Sequence, residues 1–212
     1  MVEQIPVIDL APYFRAGPSA VESHHVAELI HQAASTWGFF MITNTPVDPE
    51  TQSVLASTTR AFFDLPEETK LALDVRAGGP AWRGYMPLGG EHTHGSLDWK
   101  EGLYVGPEHA DVTHSSAYHC KGRINFPTMP FRRCDMQHLF FCLGLDHNGL
   151  RQKLLEPEPV TLFRCFKYAP SKEKPALENG EEGYGIGEHT DFGYLTILKM
   201  ESPGLRVNTR NA

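Results

Sequence analysis

Residues 185–198 read GIGEHTDFGYLTIL and place a histidine and an aspartate two positions apart beside an apolar, β-branched run. The composition of residues 184–200 predicts two strands on either side of Phe192-Gly193. Residues i and i+2 of a strand project from the same face. His189 and Asp191 would therefore offer an imidazole nitrogen and a carboxylate oxygen to one metal ion.

The His-x-Asp triplet is a short motif, and its context decides how it is interpreted. With 11 His in 212 residues, chance alone gives roughly 0.5 such triplets. Two occur, and the other is His109-Ala110-Asp111. That second triplet follows Gly106-Pro107 in a predicted loop, whereas His189 and Asp191 lie next to a predicted strand that would hold them rigidly. The sequence therefore favours His189 and Asp191.

The composition excludes several functional classes. The net charge of −7 argues against nucleic-acid binding, which needs a clustered positive excess. The longest apolar run, Leu139 to Leu145, is much shorter than the roughly 20 residues of a membrane helix. The first residues lack the pattern of a signal peptide, and the cysteines form no CxxC pair. A reduced, cytoplasmic protein is expected.

Helix and strand patterns alternate in the first third of the chain. Residues 5–9 and 37–44 predict strands because they are apolar and β-branched or aromatic. Residues 21–36 and 50–63 predict amphipathic helices, and in the first of these the apolar face comprises Val26, Leu29, Ile30 and Ala33. Pro66 predicts the first turn of a further helix.

The rest of the chain predicts loops followed by a β-rich region. Residues 78–130 are dense in Gly, Pro and His without periodicity, which indicates loops and short strands. Residues 131–155 have helical character, and residues 160–168 predict a strand whose one face carries Leu162, Arg164, Phe166 and Tyr168. We therefore predict two domains, residues 1–130 and residues 131–212.

Several long motifs occur in an order that resembles a known family. The chain is similar to the isopenicillin N synthase-like group of Fe(II)- and 2-oxoglutarate-dependent dioxygenases, in both their N-terminal domain and the start of their oxygenase domain. The motifs are IPVIDL (5–10), WGFFMITN (37–44), FFDLPEETK (62–70), RGYMPLGGE (83–91), DWKEGLYVG (98–106) and GIGEHTDFGYLTIL (185–198).

This resemblance implies a fold and a cofactor. The fold would be a double-stranded β-helix, or jelly roll, with a mixed helix-strand N-terminal region. In the family, two histidines and one carboxylate hold Fe(II) on one face, and O2 oxidises both 2-oxoglutarate, which loses CO2 to form succinate, and a small organic substrate. Matched position by position, His189 and Asp191 correspond to two of the metal ligands. Tyr168 corresponds to a tyrosine that can hydrogen-bond 2-oxoglutarate.

The sequence also departs from the family pattern. Only 21 residues follow Asp191, and they contain neither a second histidine nor the Arg-x-Ser pair that binds 2-oxoglutarate in the family. We therefore expect a C-terminally truncated oxygenase domain. A truncated jelly roll would leave strand edges unpaired, which predicts self-association or pairing with another chain. The alternative to an oxygenase is a catalytically inactive form that acts through protein interaction.

Other polar residues have structural interpretations beside functional ones. Lys100 and Glu101 indicate structural ion pairing rather than catalysis. Trp82, Arg83 and Tyr85 could line a substrate pocket, although loop packing explains them equally well.

The remaining histidines are expected to be solvated loop residues. His92 and His94 could replace a missing metal ligand, or could form a structural zinc module with a cysteine, but the cysteine spacing gives that module no support. Solvent exposure is also expected for His109, Asp111, His114 and His119. In the strand at 160–168, Arg164 could bind a carboxylate or support its neighbours, and Cys165 is expected to be an inert core thiol. Core positions are predicted for Phe140, Phe141 and Leu143.

Overall fold

A computed structural model describes residues 4–17, 20–77, 82–106, 162–170, 174, 184–191 and 195–208. Among these residues the chain separates into two compact units. One contains the described residues up to Val54 and those from Met200 onward, and the other contains those from Leu55 to Gly106 and from Leu162 to Lys199. The predicted boundary at residue 130 lies outside the described residues, as do the helix predicted at 131–155 and its core residues Phe140, Phe141 and Leu143.

The first unit begins with two short parallel strands joined by helices. Strands β1 (Val7–Asp9) and β2 (Met41–Thr43) pair in parallel, which requires a crossover connection. Helices α1 (Ala11–Ala16) and α2 (Val21–Thr36) lie in that connection. Both predicted strands and the predicted helix at 21–36 are confirmed in position, whereas α1 was not predicted.

The core of the first unit lies between α2 and the strand pair. Ile8, Val26 and Ala33 are its buried residues. Ile30 packs against them as predicted, but Leu29 is 38% exposed. The apolar face of α2 is therefore rotated slightly from the predicted one, with Ser23 and Ala27 buried instead of Leu29. Small side chains fit where the helix approaches its neighbours closely.

Two helices follow the strand pair. Helix α3 (Pro49–Phe63) confirms the helix predicted at 50–63. Helix α4 (Glu67–Leu71) follows Pro66, which lies at the position before the first helical residue rather than inside the first turn. Proline suits either position because it has no backbone N–H to satisfy.

The second unit is built on a three-stranded antiparallel sheet. Its strands are β3 (Gly84–Met86), β6 (Lys100–Val105) and β7 (Phe163–Tyr168), in the order β3-β6-β7. Five of the six residues of β6 are buried, which is expected of a central strand with both faces covered. A short hairpin, β4 (His92–Thr93) and β5 (Ser96–Leu97), precedes β6.

Side chains alternate across β6 and its neighbours to form a core on each face of the sheet. On one face Leu103 packs with Phe63 and Tyr85. On the other face Tyr104 packs with Val75 and Met86. This alternation is the period-2 pattern of a strand, and it extends to β7, where Phe166 lies with the second group.

The prediction of two strands within residues 184–200 is wrong for the described residues. Neither residues 184–191 nor residues 195–200 form a strand. A β-branched composition favours extended backbone, but a strand exists only where its N–H and C=O groups pair with a neighbour. Within the described parts of the chain, this segment has no paired neighbour.

The described part of the chain contains helices and sheets and includes no helix long and apolar enough to cross a membrane.

Candidate metal centre

His189 and Asp191 lie side by side although their segment is not a strand. Nε2 of His189 is 3.5 Å from Oδ1 of Asp191, and the two side chains are 39% and 52% exposed. Two metal bonds of about 2.1 Å each can join atoms up to about 4.2 Å apart. One cation could therefore contact both atoms without a change of backbone.

The histidine ring is held by the backbone of its own segment. Nδ1 of His189 lies 2.8 Å from the carbonyl oxygen of Gly187. A carbonyl oxygen can only accept, so Nδ1 donates its hydrogen. This leaves Nε2, the nitrogen facing Asp191, as the ring atom that can bind a metal, which is the arrangement usual for metal-binding histidines.

An imidazole nitrogen and a carboxylate oxygen are suitable donors for Fe(II). In the described residues, however, no group of three His, Cys, Asp or Glu side chains is placed to hold one ion. The structure thus brings together the two predicted ligands and adds no third from the part of the chain that it describes.

The segment that carries His189 packs against two other elements of the same unit. A Cβ atom on Gly185 would lie 2.5 Å from Cδ1 of Tyr168, and a Cβ atom on Gly187 would lie 3.0 Å from Cγ2 of Thr93. Because these two glycines have no side chain, the segment can approach Tyr168 and Thr93 closely. The first contact places Tyr168 beside the His-Thr-Asp segment.

Tyr168 lies at the end of β7, where its Cα is paired with that of Lys100. Its side chain is 44% exposed and its ring centroid is 6.3 Å from that of Phe166. Burial raises the pKa of the Tyr168 hydroxyl; the positive charge of Lys100 opposes this shift and the negative charge of Asp98 adds to it. The hydroxyl is therefore protonated at neutral pH and can donate a hydrogen bond.

Beneath Tyr168 lies a buried polar network that the sequence did not reveal. Nζ of Lys100 is 3.0 Å from carboxylate oxygens of both Glu91 and Asp98. Asp98 also accepts a hydrogen bond from Thr93 Oγ1 at 3.0 Å, and Glu91 accepts one from the Tyr104 hydroxyl. Lys100 and Asp98 are 5% and 2% exposed. These residues could have been suspected only from the spacing of charges within residues 91–100.

The opposite face of β6 carries a second network. Glu101 accepts hydrogen bonds from Lys70 at 2.6 Å and from the Tyr85 hydroxyl at 2.7 Å. Lys167 lies 3.4 Å from the other oxygen of Glu101. The structural interpretation of Lys100 and Glu101 is therefore confirmed, with separate partners on the two faces of the strand.

The three residues suggested for a substrate pocket do not share one environment. Trp82 is 45% exposed, whereas Arg83 and Tyr85 are 4% and 1% exposed. Tyr85 belongs to the core and its hydroxyl is used by Glu101. Packing explains Tyr85 better than a pocket does.

Arg164 and Cys165 both have structural contacts. The guanidinium of Arg164 lies over the rings of Tyr104 and Phe166, at 5.9 and 5.6 Å. Burial raises the pKa of the Cys165 thiol, and Thr59 lies in hydrogen-bond contact with it. A raised pKa keeps the thiol protonated and unreactive, as predicted.

His92 and His94 are exposed on the β4–β5 hairpin, and His94 adopts a positive φ of 50° in its turn. In the part of the chain that the structure describes, they join no cluster of three metal-binding side chains, so a zinc module there gains no support. His109, Asp111, His114 and His119 lie outside the described residues.

Comparison with known proteins identifies the family. The family described as non-haem dioxygenase in morphine synthesis, N-terminal, matches residues 5–128. A "Probable iron/ascorbate oxidoreductase" of Dictyostelium discoideum is 28% identical over 246 residues, covering 99% of this chain and 67% of the relative. A 2-oxoglutarate-dependent dioxygenase of Talaromyces stipitatus is 27% identical, covering 97% of this chain and 69% of the relative. The chain thus spans about two thirds of the length of these relatives.

Solved structures share the fold. The full-length Neurospora crassa protein crystallised with alpha-KG superposes with a TM-score of 0.60 at 22% identity, covering 89% of this chain and 61% of that one. A 2OG-Fe(II) oxygenase family protein from Caulobacter crescentus gives a TM-score of 0.54 at 18% identity, covering 78% of this chain and 56% of that one. Since the family match spans more than half of the sequence, the chain belongs to the Fe(II)- and 2-oxoglutarate-dependent dioxygenases.

Proposed function

We propose that this chain comprises the N-terminal domain, residues 1–130, and part of the jelly-roll domain, residues 131–212, of an oxygenase that uses Fe(II) and 2-oxoglutarate to oxidise a small organic molecule. His189 and Asp191 would hold the iron, and Tyr168 would bind 2-oxoglutarate. The observation that carries the proposal is the 3.5 Å separation of His189 Nε2 and Asp191 Oδ1, with Nδ1 occupied by the Gly187 carbonyl.

Each of the three side chains has a role that follows from its contacts. His189 presents a single free nitrogen in a fixed direction. Asp191 supplies a negative charge that would partly neutralise a divalent ion. Tyr168 keeps its proton because burial raises its pKa, so it can donate a hydrogen bond to a carboxylate. Bound iron and 2-oxoglutarate would supply the electrons that activate O2, the oxidant of the substrate, which is chemistry that protein side chains cannot perform.

The proposed substrate class follows from the relatives. One curated relative is named 1-aminocyclopropane-1-carboxylate oxidase, and structures of the Neurospora crassa protein contain thymine or 5-formyluracil. The compound in the name of that oxidase, thymine and 5-formyluracil are all small organic molecules. The net charge of −7 agrees with a small ligand rather than a nucleic acid.

Anaerobic titration with Fe(II) and 2-oxoglutarate tests the proposal. A chelate of 2-oxoglutarate on iron gives a weak visible charge-transfer band. We expect the band in the wild-type chain and its loss in His189→Ala, with His92→Ala as the matched control because His92 is also an exposed histidine of the second unit. If the wild-type chain gives no band, the alternative of an inactive interaction protein replaces the proposal.

Self-association is part of the proposal and would use apolar side chains that face solvent. Ile197 and Leu198 are 66% and 59% exposed, and exposed apolar side chains favour association. The proposed partner is a second copy of this chain. Sedimentation velocity should show concentration-dependent dimers that Ile197→Lys weakens, whereas a monomer at all concentrations would contradict this.

A further inference from the structure

We propose that Thr93, anchored by Asp98, is a positioning residue that holds His189 in the orientation needed to bind metal. This inference rests on the proposed role of His189. Thr93 does not contact the imidazole. It acts through Gly187, whose carbonyl oxygen accepts the hydrogen bond from His189 Nδ1.

The chain of contacts begins with a buried anchor. Oδ2 of Asp98 accepts hydrogen bonds from Thr93 Oγ1 and from Lys100 Nζ, both at 3.0 Å. Asp98 is 2% exposed and Lys100 is 5% exposed. Hydrogen bonds to charged groups are strong when solvent is excluded. The hydroxyl of Thr93 is therefore held at a fixed point.

The backbone of Thr93 is fixed as well. Thr93 pairs with Ser96 across the β4–β5 hairpin. The turn residues His94 and Gly95 have φ values of 50° and 81°, the conformation of a tight type I′ turn. At the open end of the hairpin, Asp98 N donates to the Glu91 carbonyl at 3.0 Å.

Gly187 then lies directly against this fixed side chain. A Cβ atom on Gly187 would be 3.0 Å from Cγ2 and 3.1 Å from Cβ of Thr93, and 3.3 Å from its carbonyl oxygen. An added Cβ atom would thus lie closer to Thr93 than ordinary van der Waals contact, which begins near 3.5 Å, so the Gly187 backbone lies against Thr93 with no room for a side chain between them. Thr93 therefore limits where the Gly187 backbone can lie, and with it the carbonyl that receives the proton of His189 Nδ1.

The consequence for His189 is a defined tautomer. A neutral imidazole carries one hydrogen, and the hydrogen bond made by one nitrogen determines the role of the other. While the Gly187 carbonyl stays in place, the hydrogen lies on Nδ1 and the lone pair of Nε2 faces Asp191. If the Gly187 carbonyl moved, the hydrogen could transfer to Nε2 and block that nitrogen.

The test reads the tautomer of His189 directly, without metal. Long-range proton–nitrogen NMR spectra of the whole chain distinguish the two tautomers, at a pH about two units above the ordinary histidine pKa of about 6.5. We expect the Nδ1–H form in the wild type and a substantial Nε2–H population in Thr93→Val, which keeps the side-chain shape but loses the hydroxyl.

Matched variants separate positioning from a general loss of structure. Thr93→Ser keeps the anchored hydroxyl and should restore the wild-type tautomer. Ser96→Ala alters the residue paired with Thr93 and should leave the tautomer unchanged. If Thr93→Val fails to fold, Gly187→Ala takes its place, because it disturbs the same contact and leaves the Asp98 anchor intact.

A second readout is the affinity for Co(II) alone, which we expect to fall about tenfold in Thr93→Val, as for other residues that orient metal ligands. A folded Thr93→Val protein with the wild-type tautomer would overturn the inference. If the wild-type chain binds no metal, the proposed function fails, but the tautomer measurement still decides whether Thr93 positions His189.

Discussion

Lys100 and Glu101 are adjacent in β6 but face opposite sides of the sheet, and each forms a buried ion pair with residues other than its neighbour. Lys100 pairs with Asp98 and Glu91, and Glu101 pairs with Lys70. Strand β6 thus contributes to two buried polar networks, one on each face of the sheet. The network of Lys100 lies beside the candidate metal centre, and that of Glu101 connects the sheet with α4.

Removing Lys70 should strongly destabilise the fold. Among the described residues, Lys70→Met leaves the half-exposed Lys167 as the remaining cationic partner of the buried Glu101 carboxylate, and breaking a buried pair in this way costs about 3–5 kcal/mol. Chemical denaturation should show this loss in the free energy of unfolding. The double variant Lys70→Met/Glu101→Gln should recover much of it, because the neutral amide oxygen can still accept from Tyr85.

The matched control is the ion pair of Arg76 and Asp74, in which Arg76 is 67% exposed. Solvent weakens a pair with an exposed partner, and the backbone N–H of Arg76 still donates to Asp74 after the substitution, so Arg76→Met should lower the unfolding free energy less than Lys70→Met does. Equal effects of the two substitutions would contradict a structural role for the buried pair.

Acid should destabilise the protein by protonating the carboxylates of Glu101 and Asp74. Burial tends to raise the pKa of Glu101, but the hydrogen bonds from Lys70 and Tyr85 outweigh it, and the pKa is lowered. Hydrogen bonds from Arg76 lower the pKa of Asp74 to about 2. Both folded pKa values thus lie below the unfolded values of about 4.3 and 3.9, so the unfolded chain binds more protons in acid.

This stabilisation is therefore complete above about pH 4.3 and is lost as the pH falls through the folded pKa values. We expect the urea concentration at the unfolding midpoint to be constant from neutral pH down to about pH 4.3. It should fall at lower pH, for as long as the chain remains folded. Asp74→Asn should reduce the decline. An unchanged pH profile in Asp74→Asn would show that this carboxylate does not have a lowered pKa in the folded state.

Tyr168→Phe should weaken 2-oxoglutarate binding without preventing metal binding. The substitution keeps the ring that packs on Gly185 and Phe166 and removes only the hydroxyl. A hydrogen bond to a charged group contributes about 1.5–3 kcal/mol, which is roughly a 10- to 150-fold loss of affinity. Calorimetric titration of the Fe(II)-loaded protein measures it, with Tyr184→Phe as the control. Unchanged affinity would remove Tyr168 from the proposed site.

Gly185→Ala should displace the Tyr168 ring. Its new Cβ would lie 2.5 Å from Cδ1 of Tyr168, a separation that forces one of them to move. We expect changed chemical shifts for the Tyr168 ring protons and weaker 2-oxoglutarate binding. Ile186→Ala, at the next position, is the control. Wild-type ring shifts in Gly185→Ala would show that the glycine is not required for this contact.

Local patterns predicted much of the fold, because the side-chain periodicities that mark helices and strands can be found among neighbouring residues. The periodicity of residues 21–36 and 50–63 correctly predicted α2 and α3, and the alternation in residues 160–168 correctly predicted β7. Composition failed at residues 184–191, where an extended segment has no paired neighbour among the described residues. Pairing depends on distant parts of the chain, which composition does not report.

The candidate site could be predicted only in part. Sequence placed His189, Asp191 and Tyr168 in it, and the structure brings Tyr168 beside the segment of the other two. The network of Thr93, Asp98 and Lys100 was not predicted, because it forms only when a tight hairpin turns three ordinary polar residues toward one another. The hydrogen bond that fixes the tautomer of His189 is made to the backbone carbonyl of Gly187. Every residue has such a carbonyl, so a sequence motif cannot predict this bond.

The central claim is that His189 and Asp191 bind one metal ion together. The most direct measurement is a titration with Co(II), followed by visible absorption, of the wild-type chain, His189→Ala, Asp191→Ala and the control His92→Ala. We predict one bound ion in the wild type and the control, and at least a tenfold loss of affinity in each of the other two variants. Equal Co(II) binding by all four proteins would contradict the account.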